Sequence, residues 1–383
     1  MDLSYHHVLD SAELGGAGLT ALRLAKALRF RTPRCRLWMP GDGPMRRMVQ
    51  EAGLTSDEYP ANLLSYGKLQ SAVTNWKFGN TLRRHGPGII HFHAVVHYGA
   101  LQLGSRLSGL EQVVHVQLEE EQTGLRWAFR HPPDMIITCA KYLVDYVRRS
   151  LAEKYQERQR IVAVPNSVDA NEFFPGDKEE AKRRMGTATG VPLILVLANL
   201  FPHKGQETAI RAVAELKKRG IDIACWLAGV ERGGGEAYTN KLRALIRELR
   251  VDERVRLLGY RDDAPELLRA ADFFLLPSTR EGLPISLLEA QASKVPVLAA
   301  PTAGIPEAVA DGETGFLIAA ENYVGYADCI QTLLTNRDLY QRVAENGYEQ
   351  VRREYDWNIY CERIWGLYCE LVAMSFFRAG KPA

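Results

Sequence analysis

Short apolar runs alternate with longer amphipathic stretches along almost the whole of this 383-residue chain. The runs have the length of buried strands, and the stretches between them, such as "LTALRLAKALRF", have the spacing of helices with one apolar face. Strands that alternate with helices in this way form parallel sheets, because each helix returns the chain to the start of the next strand. The pattern therefore predicts an α/β protein with doubly wound parallel sheets. The strands predicted in the first half are His7–Leu9, Arg36–Met39, Gly88–His93, Val113–Leu118, Met135–Cys139 and Ile161–Val164.

The alternation is interrupted once and then restarts. The interruption, "VPNSVDANEFFPGDKEE", is rich in Pro, Gly and Asp, as expected of a linker. Further strands are predicted in "PLILVLANL", "DIACWLAGV", "VRLLGY", "DFFLLPS", "VPVLAA" and "GFLI". The aromatic-rich end, "YEQVRREYDWNIYCERIWGLYCELVAMSFF", is predicted to be one long helix. We therefore predict a Rossmann-like domain over residues 1–170, a second over 171–355, and a C-terminal helix in residues 356–383 that packs back toward the first domain.

Composition narrows the class of protein. A formal net charge of +2 argues against strong nucleic-acid binding, which needs a concentrated basic face. The six cysteines are scattered without a C-x-x-C pair, so we expect reduced thiols used as small apolar residues. The chain starts without a long apolar run, and no later run approaches the roughly eighteen residues of a membrane span. These features predict a cytoplasmic protein.

A glycine-rich loop follows the first predicted strand and opens the first predicted helix. Gly16, Gly18 and Ala21 fit G-x-G-x-x-A, the fingerprint of dinucleotide-binding domains. That fingerprint also requires an acidic residue at the end of the second strand, whereas the first carboxylate there is Asp42, beyond the turn. Three interpretations stay open: a dinucleotide site, a structural turn, and a loop whose backbone approaches a phosphate or a sugar.

A second loop-to-helix junction, "REGLPISLLEA", carries two glutamates eight positions apart. Glu281 lies in the loop that should cross the carboxyl edge of the sheet, and Pro284 suits the first turn of the helix that follows. Glu289 then lies about one and a half turns into that helix. Carboxylates accept hydrogen bonds from pairs of hydroxyls, and a helix start favours an anion, so the segment suits a ligand ordered polyol, phosphate, polyol. The spacing alone also fits a solvated loop residue and a surface charge.

The sequence resembles a known family over nearly its whole length. "PSTREGLPISLLEAQASKVPVLAAPTAGIPEAVADGETGFLI" is similar to the signature of the family-four retaining glycosyltransferases, including their E-x7-E motif. "LGGAG", "IIHFHA", "VPNSVDANEFFP", "FPHKGQETAI" and "VRLLGYRDD" extend the resemblance. It implies a GT-B fold, in which two Rossmann-like domains face each other across a cleft. The N-terminal domain would then bind the acceptor, and the C-terminal domain would bind a nucleotide sugar.

The resemblance also implies roles for individual residues. Glu281 would contact hydroxyls of the donor sugar, and Glu289 would hold the ribose. Lys204 would neutralise the leaving diphosphate, which Gly16 would approach when the domains close. The other donor-binding residues that it implies are Asn199, Arg261, Gly282, Leu283, Pro284, Ile285 and Ser286.

Three positions depart from the family pattern. Asn199 stands where the family has an arginine beside the diphosphate, so Lys204 would carry more of that charge. Lys294 replaces a small glycine and is expected on a surface turn. Gln117 stands where a catalytic-site histidine is common, with His115 two residues before it on the same face of a strand. We predict that Gln117 is a hydrogen-bonding residue of the site. The missing histidine does not predict inactivity, because retaining transfer of this kind does not require it.

The resemblance implies a metal-independent transfer with retention, without a protein nucleophile. Family habit favours a UDP-sugar donor, a hexose, and an acceptor hydroxyl on a carbohydrate, a lipid-linked glycan or a small molecule, as in polysaccharide biosynthesis. The alternatives are a nucleotide-sugar epimerase, which would need its own acid and base pair, and a non-catalytic nucleotide-sugar binding protein.

Two weaker signals lie in the first half. His91 and His93 form H-x-H at a strand end and could line the acceptor cleft with His115, pack in the core, or bind a metal ion, although no D-x-D or cysteine accompanies them. The segment from Ser71 to His85 mixes Trp and Phe with Lys and Arg. It fits either a solvated helix or a basic amphipathic surface at the inner face of an anionic membrane.

Overall fold

A computed structural model describes residues 3–13, 15–231 and 235–378. The described chain divides into two compact units. The first unit runs to Pro165 and includes the residues from Tyr360 onward, and the second unit runs from Asn166 to Ile359. Leu14 of the predicted glycine loop and residues 379–383 of the predicted C-terminal segment lie outside the described residues.

The first unit contains a parallel sheet with the strand order β3-β2-β1-β4-β5-β6-β7. Its strands are β1 Ser4–Val8, β2 Arg34–Pro40, β3 Thr55–Tyr59, β4 Gly88–Phe92, β5 Glu111–Val116, β6 Met135–Thr138 and β7 Ile161–Ala163. The six strands predicted in this half are confirmed. β3 was not predicted, because its sequence "TSDEY" lacks an apolar run; it lies at the sheet edge, where only one side pairs with another strand.

Helices cover both faces of this sheet. They are α1 Gly16–Leu28, α2 Pro44–Glu51, α3 Lys68–Arg83, α4 Val95–Ser108, α5 Gln122–Ala128, α6 Tyr142–Ser150 and α7 Glu153–Gln156. One apolar core joins α1 and α2 to the sheet around Leu37 and Met39. A separate core, on which α3, α4 and α5 pack, surrounds Phe92 and Tyr98. This two-faced arrangement is that of a Rossmann-like doubly wound sheet.

The helices α3 and α4 approach each other through glycines. A Cβ atom on Gly79 would lie 2.5 Å from the carbonyl oxygen of Gly104, and one on Gly104 would lie 2.5 Å from that of Asn75. The Asn75 amide fastens the contact, because its Nδ2 donates to Ala100 O (2.9 Å) and its Oδ1 accepts from the Gly104 N–H (2.8 Å). The two backbones therefore lie closer than any residue with a Cβ would allow.

We expect Gly104→Ala to destabilise the protein by about 1–3 kcal/mol, because the added methyl group must push the two helices apart. Gly124→Ala is the matched control: a Cβ there meets no atom within 4 Å, and alanine is the better helix former. Urea unfolding of both variants measures the difference. Equal unfolding midpoints for the two variants would contradict the close packing of α3 on α4.

The second unit contains another parallel sheet, with the strand order β10-β9-β8-β11-β12-β13. Its strands are β8 Leu193–Leu197, β9 Ala224–Ala228, β10 Val255–Gly259, β11 Phe273–Leu276, β12 Val297–Ala299 and β13 Phe316–Leu317, which confirms the six strands predicted there. Its helices are α8 Lys178–Arg184, α9 Gln206–Lys218, α10 Ala237–Glu248, α11 Ala264–Ala270, α12 Ile285–Ala292, α13 Ile305–Ala308, α14 Tyr323–Thr335 and α15 Arg337–Glu354.

The prediction of one long C-terminal helix is wrong. α15 ends at Glu354, and a second helix, α16, spans Trp357–Arg378. Between them the chain forms a β-bridge with Val168, whose N–H donates to Tyr355 O (2.9 Å) and whose carbonyl accepts from the Trp357 N–H (3.0 Å). These bonds use backbone groups that a continuous helix would need for itself. Among the described residues, no helix is both long and apolar enough to cross a bilayer.

Each sheet has one point where neighbouring strands send their following segments in opposite directions. In the first unit this point lies between β1 and β4, and in the second between β8 and β11. Ligands of doubly wound sheets bind at the carboxyl end of the strands at such a point. The loops after these four strands are therefore the expected positions of a ligand site in each unit.

Candidate functional site

In the second unit, the loops after β8 and β11 are locked together. Gly205 has a φ of +73°, and a Cβ there would lie 2.1 Å from the carbonyl oxygen of Pro277. The Thr279 N–H donates to His203 O at 2.8 Å. The glycine of "HKG" is thus needed both for its left-handed conformation and for the close approach of the two loops. This contact fixes the position of the residue between them, Lys204.

Lys204 and Glu281 form an ion pair in which Lys204 Nζ donates to Glu281 Oε1 at 2.7 Å. Glu281 is buried, with 4% of its surface exposed, whereas the Lys204 side chain is 21% exposed. The sequence placed both residues at the donor site, and the structure brings them together across two loops. The ion pair itself was not predicted, because the two residues are 77 positions apart in the chain.

The backbone that follows Glu281 is held from two sides. The Gly304 N–H donates to Gly282 O at 2.9 Å, and Asn166 Nδ2 donates to Leu283 O at 2.7 Å. Asn166 is buried, and its own Oδ1 finds no partner among the described residues. The sequence analysis did not single out Asn166, although it lies in "VPNSVDANEFFP", one of the segments that carry the resemblance.

α12 begins one residue later than predicted. Pro284 is the N-cap, with an extended ψ of 125°, and Ile285 and Ser286 occupy the first turn. No side chain caps this helix start, and the first N–H groups of a helix have no partner within it, so the start favours an anion. Glu289 is the fifth residue of α12 and is half-buried, with its backbone carbonyl accepting from Ser293 Oγ (2.9 Å).

Two other predicted donor-binding residues differ in their hydrogen-bonding partners. Asn199 follows β8 and is half-buried; its carbonyl accepts from Gln206 Nε2 at 3.0 Å. Arg261 follows β10 and donates hydrogen bonds from two nitrogens to the Asp263 carboxylate, with Nε at 2.7 Å. The hydrogen bonds of this pair raise the pKa of Arg261 and lower that of Asp263. Arg261 would therefore have to leave a carboxylate before it could bind a phosphate.

In the first unit, Gly16 is the first residue of α1, and the N-cap Gly15 offers no side chain to the helix start. The first turn of α1 contains no acidic residue. Gly16 therefore lies at the carboxyl end of β1, beside the switch point of this sheet. That position suits any of the three interpretations of the glycine loop, and its role in phosphate binding stays a prediction.

Four of the five buried histidines among the described residues form a cluster at three neighbouring strands of the first unit. They are His7 on β1, His91 and His93 at the end of β4, and His115 on β5, each at most 4% exposed. His7 Nδ1 lies 3.0 Å from His93 Nε2, and His91 Nδ1 lies 2.6 Å from the hydroxyl of Tyr368 on α16. The rings of His91 and His93 stack at 4.2 Å.

Burial lowers the pKa of all four imidazoles, to about 4 for His7 and about 3 for His115. They are therefore neutral at neutral pH. Such burial fits the packing interpretation of His91, His93 and His115, and their role in acceptor binding stays a prediction.

The same cluster contains the group of described residues whose spacing could hold a metal ion. His7, His91 and His93 each offer one ring nitrogen, and these three atoms lie within 4.8 Å of one another. Neutral imidazoles suit zinc and similar transition metals. The H-x-H pattern located two of the three residues. It missed His7, which the parallel pairing of β1 with β4 brings opposite His91.

Gln117 follows β5 and is half-buried. Its carbonyl accepts from Cys139 Sγ at 3.1 Å, whereas its Nε2 is buried and finds no partner among the described residues. An unpaired buried amide is costly unless a ligand completes its hydrogen bonds. This observation supports the prediction that Gln117 binds a ligand, which no direct observation tests.

Comparison with known proteins finds relatives for part of this chain. Residues 177–350 match the family model of glycosyl transferases group 1. A D-inositol 3-phosphate glycosyltransferase of Nocardia farcinica (strain IFM 10152) is 36% identical over 202 residues, 51% of this chain and 44% of that protein. A protein of the same name from Corynebacterium glutamicum (strain R) is 28% identical over 329 residues, 80% of this chain and 76% of that protein. The alignment thus spans less than half of the first relative and about three quarters of the second.

Solved structures share the fold. The crystal structure of the Anabaena protein HepE in complex with UDP has a TM-score of 0.84 at 20% identity and covers 96% of this chain and 100% of its own. Sucrose-phosphate synthase from Thermosynechococcus elongatus has a TM-score of 0.77 at 18% identity, with 97% and 100% covered. With two Rossmann-like parallel-sheet units, the chain has the GT-B fold. Residues 177–350, which match the family model of glycosyl transferases group 1, lie within the second unit.

Proposed function

We propose that this protein is a glycosyltransferase that moves a hexose-type sugar from a nucleoside-diphosphate donor to an acceptor hydroxyl. The observation that carries the proposal is the ion pair of Lys204 with buried Glu281 at the switch point of the second sheet, beside the uncapped start of α12. A cation and free helix N–H groups can bind the phosphates of a sugar diphosphate. A carboxylate can accept hydrogen bonds from its sugar hydroxyls.

The charges suggest how this site would act. Cleavage of the anomeric C–O bond develops negative charge on the diphosphate, which Lys204 and the start of α12 would stabilise by preorganised electrostatics. When Lys204 turns from Glu281 to the diphosphate, Glu281 Oε1 can accept a hydrogen bond from a sugar hydroxyl instead. We propose that the acceptor attacks the face from which the diphosphate departs, so that the configuration is retained, and that a phosphate oxygen takes the proton. No metal ion is needed in this scheme, because Lys204 and the helix start supply the positive charge.

The relatives support the choice of substrates. HepE was crystallised with UDP and with UDP-glucose, and the curated relatives bear the name D-inositol 3-phosphate glycosyltransferase. We therefore propose a UDP-sugar as donor. For the acceptor we propose a hydroxyl on a carbohydrate, a lipid-linked glycan or a small polyol.

Release of UDP from a panel of UDP-sugars, with and without acceptors and in the presence of EDTA, tests this function. We expect acceptor-dependent release, and proton NMR of the product should show the anomeric configuration of the donor. Tight donor binding without turnover over the whole panel would instead identify a non-catalytic binding protein. Isomerisation of the donor would identify an epimerase, and an inverted product would overturn the retaining mechanism.

We expect Glu289→Ala to weaken the binding of UDP by about tenfold to a hundredfold, because a hydrogen bond to a charged group contributes about 1.5–3 kcal/mol. The substitution leaves the backbone of α12, including the carbonyl that accepts from Ser293, in place. Isothermal titration calorimetry with UDP measures the change, and Glu248→Ala, at an exposed position near the end of α10, is the control. Unchanged affinity in the Glu289 variant would remove this residue from the nucleotide site.

A further inference from the structure

The outer side of α3 and α4 in the first unit is apolar. Leu69, Val73 and Trp76 follow one another at helical spacing on α3 and are 80%, 44% and 60% exposed. We use the term α3–α4 face for the six exposed apolar residues on these two helices and on the turn before α3. They are Leu64, Leu69, Val73, Trp76, Leu103 and Leu107.

The two helices present these side chains as neighbours. Leu107 on α4 lies beside Gly79 on α3, because a Cβ on Gly79 would come within 3.1 Å of the Leu107 Cβ. Arg83 Nε, one turn further along α3, donates to Leu107 O at 3.1 Å. Leu103 lies one turn before Leu107 and is equally exposed. The close glycine contact between α3 and α4 therefore brings the exposed side chains of the two helices next to each other.

The segment that contains this face is basic, although Asp57 and Glu58, which directly precede it, line a cavity together with Val73 and Lys77. From Tyr59 to Leu110 the sequence has five basic residues and no Asp or Glu, which is +5, whereas the whole chain carries +2 and the rest therefore −3. The five side chains are exposed, and among the described residues none of them forms an ion pair. These five are Lys68, Lys77, Arg83, Arg84 and Arg106.

Exposed apolar side chains in a basic segment favour a membrane surface over a protein as the partner. Protein–protein interfaces match charges of both signs, so a protein partner accounts poorly for a segment whose five cations form no ion pair among the described residues. A surface helix with Trp and Leu on one side and Lys or Arg around it suits the boundary between headgroups and acyl chains of a bilayer. The basic side chains would be attracted to anionic headgroups, and Trp76 would lie at the depth that indole rings prefer.

We propose that the α3–α4 face binds the surface of an anionic bilayer, with Leu69 and Trp76 inserted among the headgroups and the basic residues paired with lipid phosphates. The proposal concerns contact with one leaflet. It does not depend on the identity of the donor, because none of the residues involved belongs to the candidate donor site of the second unit.

Sedimentation of the full chain with phosphatidylcholine vesicles, with and without phosphatidylglycerol, tests the proposal. We expect binding to the anionic vesicles that weakens as salt is added. The double variants Lys68→Glu/Lys77→Glu and Leu69→Ser/Trp76→Ser should each partition at least about tenfold more weakly. Phe30→Ser is the matched control, because Phe30 is 85% exposed but follows α1, outside the α3–α4 face, and should bind like the unmodified chain.

Several outcomes would overturn the proposal. They are the absence of binding to anionic vesicles, equal binding to neutral ones, and unchanged binding of either double variant. Sedimentation of the protein alone provides a further test, because self-association that both double variants abolish would show that a second copy covers the face. All substituted residues are exposed, so unchanged melting temperatures should accompany the loss of binding.

Discussion

Glu281→Ala is expected to lower the rate of glycosyl transfer by at least about a hundredfold, which corresponds to about 2.7 kcal/mol of transition-state stabilisation. Glu281 is buried, and its carboxylate holds Lys204 Nζ at 2.7 Å. The substitution removes the proposed acceptor for the sugar hydroxyls and releases the lysine from its position. Both losses affect the step in which the sugar leaves the diphosphate, so kcat should fall more than KM rises.

Two companion variants separate these losses. Glu281→Gln keeps the shape and the hydrogen-bonding capacity of the side chain but loses its charge, so it should retain more activity than the alanine variant. Glu248→Ala, on an exposed surface of the same unit, should leave the rate unchanged. Steady-state release of UDP provides the rates, and thermal unfolding shows whether each variant is folded. A folded Glu281→Ala enzyme with a near-normal rate would exclude Glu281 from the reaction.

Acid is expected to unfold the protein well above the pH at which its carboxylates are protonated. Burial lowers the pKa of seven histidines in the first unit, and five of these are at most 4% exposed: the pKa is about 3 for His6 and His115, about 4 for His7, and well below the usual value for His91 and His93. In the unfolded chain these groups have a pKa of about 6.5. The unfolded state therefore binds more protons than the folded state at every pH between these values.

The sign of the effect follows from this difference. The stability due to neutral histidines is fully present above about pH 6.5 and is lost as the pH falls toward the folded-state pKa values. The five buried histidines can change the free energy of unfolding by up to about 7 kcal/mol per pH unit, which is comparable to the usual total stability of about 5–15 kcal/mol. We therefore expect the first unit to unfold near pH 5.

Urea unfolding between pH 8 and pH 4.5, in buffer with EDTA, measures this dependence. His115→Gln should reduce the slope by about 1.4 kcal/mol per pH unit, because it removes one of the buried titrating groups. A free energy of unfolding that stays constant from pH 7.5 to pH 5 would show that the buried histidines do not control acid stability.

The strands were the most predictable part of the fold. Twelve strands were predicted from short apolar runs, because most strands of a doubly wound parallel sheet are buried on both faces and are therefore largely apolar. β3 escaped prediction because an edge strand need not be apolar. The C-terminal helix was predicted without its break, because a β-bridge to Val168, far away in the chain, interrupts it at Tyr355 and Asp356.

The candidate site residues also divide into those that the local sequence predicts and those that only the fold brings together. Glu281 and Glu289 were found from their spacing around a loop-to-helix junction, which is a local property of the chain. Asn166, whose amide holds Leu283 O, and His7, which joins the other buried histidines, were missed, because each acts on residues from a distant segment.

The sequence alone determined the α/β class, the restart of the pattern near residue 170, and the junction at which α12 presents its first N–H groups. Periodicity and helix signals are local, so they can be recognised without knowing the fold. Only the tertiary structure decided that Lys204 pairs with Glu281, that Arg261 is held by Asp263, and that α3 and α4 pack closely through their glycines. These features depend on which strands become neighbours and how closely two backbones approach, and that information is carried by packing between residues far apart in the chain.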